Sequence, residues 1–490
     1  MEEIGAGAAN LSVGDVVAPS SAACKNTAKV LGADIDGDAA RKFPRGAGMD
    51  ADAAPGRLAR DAPTKEDFPM KELTLYAEKT GAIDRAQLKE ALQSSLDLEG
   101  LKRVLLLPPD ITRFYSRAGE IANIYYHLLK DTCEVDIIPT LGSHMPMTED
   151  ECREMFGDIP FDRFIAHNWR TDVVKIGEVP AEFVREVSEG LVDEKIDVEL
   201  NRRLLDNYDL ILSIGQVVPH EVVGMANYSK NVFVGVGGAS MISASHMLGA
   251  FYGLEKLMGK DFSPVRKVFD YAEERFLKAL PLWYVLTVTT APENEIRQHA
   301  LFIGRDRGGF EKAVALAQEK NITFVDRPLK KVVVYMDPKE FRSTWVGNKS
   351  IYRTRMAIAD GGELIVLAPG VSHFGEDPQN DVLIRKYGYC GRERAIALCR
   401  ANDDLANNLS VAAHIIHGSS DGRFNVTYCT KLLTEEEVRN ANFDYMPFDE
   451  AVKIYDPALL RDGWNTMPDG EEIYYIPNPA LGLWADRSRY

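Results

Sequence analysis

Cysteine is scarce in this chain. There are six in 490 residues (Cys24, Cys133, Cys152, Cys390, Cys399 and Cys429), and no two form a C-x-x-C pair. That spacing suits neither a zinc site nor a disulfide framework, and points to reduced thiols. No apolar run approaches the ~20 residues of a membrane-spanning helix, so no membrane partner is expected. Basic charge is in deficit, with 57 Lys and Arg against 74 Asp and Glu, a net charge of -17. A nucleic-acid binder needs a basic footprint, so that class is set aside. The opening residues lack the basic-then-apolar pattern of a secretory signal, which points to the cytoplasm. Two catalytic signatures are also missing. There is no G-x-S-x-G elbow, and GVGGAS (Gly235 to Ser240) lacks the G-x-G-x-x-G spacing of a dinucleotide fingerprint. No short-period repeat of the solenoid kind occurs.

What is present is an ordinary globular composition, 45% hydrophobic and 27% charged, in a chain long enough for two or three domains. Residues 1–69 are rich in Ala, Gly and Asp and poor in large aliphatics. Such a segment buries too little to offset the entropy of ordering it, so a disordered leader is expected there. From Met70 onward, short continuous apolar runs alternate with helical patterns. VLLLPP (Val104 to Pro109), VDIIPTLG (Val135 to Gly142) and LILSIGQVV (Leu210 to Val218) are the first three. Runs of this kind separated by helices predict a parallel sheet covered on both faces. Near Asp326 the pattern restarts with KKVVVYMD and GELIVLAPG, then a long helical stretch over 384–417, then RFNVTYCTK. The expected fold is α/β: two α/β domains with mainly parallel sheets and the active site in the cleft between them. The boundaries are 70–327 and 328–470, with a tail strand in 471–490 returning to the first domain.

Open parallel sheets bind ligands beyond the carboxyl ends of their strands. Here each apolar run leads into reactive side chains: the first to Asp110, Thr112 and Arg113, the second to His144, the third to His220. Each has a bland reading. Asp110-Ile-Thr112-Arg113 is either a helix N-cap with a surface arginine, or a grip on ribose hydroxyls and phosphate. A lone histidine is more often structural than catalytic, although imidazole exchanges protons near neutral pH. Lys230 is either a solvated loop cation or an anchored amine, and the glycines around it (Gly224, Gly235, Gly237, Gly238) allow a ligand close approach. His246, inside the helical pattern running to Gly259, reads as core when taken alone.

The joint spacing says more. His220, Gly224, Lys230 and His246, with Asp110-x-Thr112-Arg113 and Gly142-x-His144-x-Pro146 before them, resemble the motifs of the nickel-pincer lactate racemase family. A weaker local match follows at His167 and Val174 to Gly177, and Lys349 falls where that family has a substrate-binding lysine. The resemblance covers nearly all of 70–490. It implies a racemase or epimerase of a 2-hydroxy acid, using His144 and His220 as acid/base pair. It implies a nickel(II) ion ligated by His246. It also implies a pyridinium-3-thioamide-5-thiocarboxylic acid mononucleotide joined to Lys230 and made by separate cofactor-synthesis enzymes. Asp110, Thr112 and Arg113 would hold the nucleotide, and Lys349, beside Trp345, the substrate carboxylate.

The departures are specific. Met145 stands where the family has arginine. Ala226-Asn227-Tyr228-Ser229-Lys230 replaces its S-G-G-x-K, and Val234-Gly235 its P-G. Val346 replaces a substrate-contacting glutamine, which predicts a substrate larger than lactate. A sugar-derived acid would draw on the polar loop Ser372 to Asp377. Two rival readings remain: an unrelated α/β dehydrogenase or hydrolase, and a non-catalytic carrier of the cofactor.

Overall fold

The computed structural model describes residues 69–78, 81–292, 295–480 and 482–490, so the expected leader falls, but for its last residue, outside the described residues. Strands β1 (Leu73–Tyr76), β2 (Arg103–Leu107), β3 (Glu134–Ile137), β4 (Leu210–Gln216), β5 (Leu282–Thr290) and β6 (Arg297–Gly304) form one sheet. Its order is β1-β6-β5-β4-β2-β3. The four strands from β5 to β3 are parallel, and β6 and β1 add an antiparallel edge. The continuous apolar run of β2 is divided by the two-residue strand period. Val104 and Leu106 enter one core, Leu105 and Leu107 the other. That is why the run has no polar face: both sides of the strand are covered.

The second sheet follows a short strand β7 (Ile322–Val325). It comprises β8 (Leu329–Tyr335), β9 (Ile358–Ala368), β10 (Phe424–Thr430), β11 (Asp444–Pro447), β12 (Gly463–Thr466) and β13 (Glu472–Ile476), in the order β11-β10-β9-β8-β13-β12. All neighbours are parallel except β12 with β13. The tail holds two strands, not one. β13 joins the second sheet beside β8, and only β14 (Leu483–Asp486) runs back to pair with β7.

Two helical expectations are corrected in detail. The stretch 384–417 is broken into pieces: the end of Pro378–Tyr387, then Arg392–Ala401, Asp403–Ala406 and Leu409–His417. Gly388 and Gly391 stop the chain with φ of 61° and 85°, and Asn408 caps the last piece by accepting from Val411 N–H. Likewise the helix carrying His246 ends at Tyr252, because Gly253 takes φ 102°.

Four helices matter below: α1 (Ser229–Phe233), α2 (Ala239–Tyr252), α3 (Pro264–Phe276) and α4 (Leu409–His417). Helix α2 is the seam of the molecule. Its Met241, Ile242 and Leu248 pack in the first sheet's core, whereas Met247 and Ala250 pack in the second's. Such a helix is hydrophobic nearly all round, as a helix buried between two layers must be. The strand order reverses at β2, which has β3 on one side and β4 on the other, and at β8, between β9 and β13. Crevices at such reversals are the usual ligand sites of open sheets. No described helix is long and apolar enough to cross a membrane.

Candidate active site

A cavity opens at these strand ends. Asp110, Thr112, Arg113, His144 and His220 border it from the first sheet's loops, Lys230 from α1, His246 from α2, and Trp345 and Lys349 from the segment after β8. The residues given a catalytic, cofactor or substrate role from the sequence therefore meet in one place, whereas His167, bonded to Gly237 O and Asn201, lies outside it.

Asp110 directly follows the Pro108-Pro109 that ends β2. It caps the turn Ile111–Ser116, with Oδ1 accepting from Thr112 N–H at 3.2 Å and Thr112 Oγ1–H at 2.6 Å. Its other oxygen lies 2.6 Å from His144 Nδ1. Both carboxylate oxygens are thus engaged by protein, and the Thr112 hydroxyl donates to Asp110. The N-cap reading is realised, and with it a second role: Asp110 orients an imidazole. Burial pushes the Asp110 carboxyl up, but the His144 charge and hydrogen bond, Thr112 and Arg113 together hold it below the usual range. For His144, burial pulls down, and Asp110 and the more distant Glu376 outweigh it to leave the imidazole above its usual value. Nδ1–H then faces Asp110, and Nε2 is left for the cavity.

His220 is set differently. Its Nδ1 accepts from Val222 N–H at 3.1 Å, which keeps the proton on Nε2. Burial, reinforced by Lys230, Arg113 and His246, holds it well below the usual histidine value despite the opposing Glu221. It is neutral at any physiological pH. One imidazole is therefore held above its usual value by a carboxylate partner, and the other presents a fixed N–H.

Lys230 is enclosed by protein yet open to the cavity. Burial and the neighbouring Arg113 bring its amine down to about 8, against partial opposition from Glu221 and Asp110. A fraction of free, nucleophilic amine is thus present at neutral pH. His246 donates Nδ1–H to Ile242 O at 2.6 Å, one turn back on α2, leaving Nε2 for the cavity. Burial, Lys230 and His144 hold it neutral, at about 4, as metal ligation requires. Among the described residues no group of three or more His, Cys, Asp or Glu could hold a metal by itself. A metal bound through His246 would need its remaining donors from a bound organic group. The donor set fits a metal-bearing nucleotide: one neutral imidazole, one free amine and a cationic field from Arg113, Lys349 and Arg353.

From the second sheet, Lys349 is 7% exposed with Nζ 3.7 Å from Glu340, and burial with Arg113 and Arg353 brings it to about 8. Trp345 is half-buried and stacks on His414 of α4 at 4.2 Å between centroids. Val346 and Tyr352 continue that wall. The polar loop Ser372 to Asp377 does not line the cavity.

Several contributors escaped the sequence reading. Glu221 is a half-buried carboxylate held well below the usual range: burial opposes this, but with His220 neutral the charges of Arg353 and Arg113 and a backbone hydrogen bond prevail. Arg353, fully buried, donates to Pro219 O and Gly482 O and so ties the helix Lys349–Tyr352 to the loop bearing His220. The only sequence signals were adjacency to His220 and a four-residue step from Lys349. The glycines around Lys230 serve the protein more than a ligand. A Cβ on Gly224 would lie 2.0 Å from Lys260 O, and one on Gly235 2.2 Å from Asn231 O. Of the four, only Gly235 borders the cavity.

Comparison with known proteins finds relatives of this fold. Residues 76–256 match the family model of the lactate racemase N-terminal domain. A crystal structure of a Thermotoga maritima protein is 26% identical with a TM-score of 0.71, covering 84% of this chain and 99% of that one. The lactate racemase apoprotein from Thermoanaerobacterium thermosaccharolyticum shares the fold at 17% identity and a TM-score of 0.61, covering 86% of this chain and 96% of that one. No curated protein matches the sequence.

Proposed function

We propose that this chain, which is of the lactate racemase-like family, is a racemase or epimerase inverting C2 of a 2-hydroxy acid, with a nickel-pincer nucleotide anchored on Lys230. The observation that carries the reading is the convergence of two differently protonated imidazoles, a free-amine lysine and a neutral histidine ligand on one cavity. A carbinol C–H is barely acidic, so inversion there needs a hydride acceptor, which that group supplies when bound. The rest falls to side chains. Arg113, the charge that acts most strongly on Lys230, holds the nucleotide phosphate. Lys230 would provide the nitrogen that is acylated, and His246 would offer the metal an imidazole through Nε2. Lys349 binds the substrate carboxylate, its ammonium desolvated and therefore strong in attraction. His144 takes the hydroxyl proton through Nε2, with Asp110 stabilising the imidazolium that results. His220 donates its Nε2–H to the same oxygen from another side, and His144 returns the proton to that oxygen in the second half of the turnover. A small-molecule 2-hydroxy acid substrate and the cofactor-synthesis enzymes are the partners this requires.

A carrier that merely stores the nucleotide needs neither imidazole. The buried Asp110–His144 pair favours catalysis over that reading, because an oriented acid/base pair has no use in storage.

The substrate wall of Trp345, Val346 and Tyr352 is largely apolar, and the polar loop that a sugar acid would use stands off from it. A larger aliphatic or aromatic 2-hydroxy acid is therefore expected to outrun lactate. Enantiopure 2-hydroxy acids, incubated with protein co-produced with the cofactor-synthesis enzymes and resolved by chiral chromatography, test this. Racemisation of none of them by nickel-loaded protein would refute the function, and lactate as clear best substrate would refute the size preference. Val346→Gln should raise kcat/KM for lactate roughly tenfold, the worth of one regained hydrogen bond in a buried site.

A further inference from the structure

The turn before Lys230 is built against its own backbone preference. Asn227 and Tyr228 take φ of 67° and 56°, at the two positions where the lactate racemase pattern has glycines. Tyr228, with ψ of -136°, lies close to a region that is nearly glycine's alone. A bulky residue stays there only when its surroundings over-determine it. Three features do so. Asn227 Oδ1 accepts from Tyr228 N–H at 2.7 Å. The Tyr228 ring stacks at 5.0 Å on Phe310 and packs at 4.4 Å on Tyr284. Third, the Arg266 guanidinium of α3, 1% exposed, reaches into the turn from behind.

All three hydrogen bonds of that guanidinium go to the turn: Nη2 to Met225 O at 2.7 Å and Asn227 O at 3.2 Å, Nη1 to Ser229 Oγ at 2.8 Å. Its plane lies 4.5 Å over Phe310, the ring on which Tyr228 stacks. Ser229 passes the contact on to Asp270, which Arg307 holds in turn. Only a planar fork spans three acceptors in this way. The next residue is Lys230.

We propose that Arg266 is a positioning residue for the Lys230 amine: it clamps the strained turn Met225–Ser229 so that the amine is presented to the cavity for acylation. The inference rests on Lys230 being the cofactor anchor, but its consequence is readable without cofactor. The groups whose charges act on Lys230 are Arg113, Glu221, Asp110 and Arg266. Arg266 alone among them also grips the backbone leading to it.

The test is acetylation of the cofactor-free protein by limiting N-hydroxysuccinimidyl acetate across pH, followed at each lysine by peptide mass spectrometry. Lys349, buried on the opposite wall of the cavity, is the internal standard. Arg266→Gln should slow Lys230 acetylation by about tenfold at its plateau and move its pH midpoint up, while Lys349 keeps its rate. Arg266→Lys should restore the midpoint, since a positive charge returns, but not the plateau, since an ammonium cannot bridge the three acceptors. Unchanged Lys230 rates in a folded Arg266→Gln protein overturn the proposal. So does equal slowing of Lys230 and Lys349, which would mark a general structural role. If Arg266→Gln does not fold, Ser229→Ala removes one acceptor of the clamp and should lower the Lys230 plateau alone; no change there also overturns it. Failure of the anchor reading would show separately, as a missing cofactor adduct on Lys230 in protein co-produced with the synthesis enzymes.

Discussion

Protein carrying Lys230→Ala, co-produced with cofactor-synthesis enzymes, should show no covalent mass adduct and no racemisation above background. Lys230→Arg should fail equally. A guanidinium stays protonated at any working pH, whereas burial and Arg113 bring the Lys230 amine to about 8, within reach of deprotonation. His246→Ala should separate the two halves of the anchor. On the proposed reading its imidazole would serve the metal and not the lysine bond, so bound nickel should fall while a lysine adduct persists. Intact mass and metal determination read both quantities on the same sample. A normal adduct in either Lys230 variant would exclude Lys230 as the anchor, and undiminished nickel in His246→Ala would remove the ligand assignment.

Much of this site was legible because its residues sit at the ends of strands whose apolar runs are themselves legible. Asp110, His144 and His220 follow β2, β3 and β4, and these three are neighbours in the sheet. Their convergence needs only strand identity and the crossover rule. Lys230, His246 and Lys349 were found by spacing alone, since nothing in local pattern distinguishes a helix histidine facing a cavity from one facing a core. What spacing could not give is partnership. That Asp110 serves His144 depends on two loops from adjacent strands meeting at 2.6 Å. Glu221 and Arg353 act on each other's charge only when the second sheet docks on the first. The same holds for the glycines near Lys230. Sequence shows that a Cβ is absent, but whether ligand or neighbouring carbonyl takes the space is a tertiary fact, and for Gly224 it is Lys260 O. The broken helix over 384–417 is a local omission instead: the glycine and asparagine stops were in plain view, and periodicity overrode them.

The two histidines should prove equally necessary and unequally sensitive to pH. His144→Ala and His220→Ala should each lower racemisation by about 10²-fold or more, the usual worth of a positioned acid or base. Substrate affinity should change little, because Lys349 would hold the carboxylate on the proposed reading. Enantiomers have equal free energy, so kcat/KM must be the same in both directions, and loss of either histidine must appear in both. The pH response belongs to His144 alone. Asp110 holds it above the usual histidine value, so the proton-accepting form appears as pH rises through that raised value, and activity falls on the acid side. His220, well below the usual value, stays neutral across the same range. Asp110→Asn keeps the shape but removes the charge that stabilises the imidazolium. The acid limb of the kcat/KM profile should then move to lower pH, and the plateau should drop as the developing imidazolium loses its counter-charge. The stability of the pair follows the same signs. The Asp110 contribution is lost as pH falls through its depressed value, and the His144 contribution as pH rises through its raised one, so Asp110→Asn should lower Tm between those limits and hardly beyond them. An acid limb that stays in place in Asp110→Asn would show that a group other than His144 accepts the proton. Near wild-type interconversion by either alanine variant would end the two-histidine account altogether.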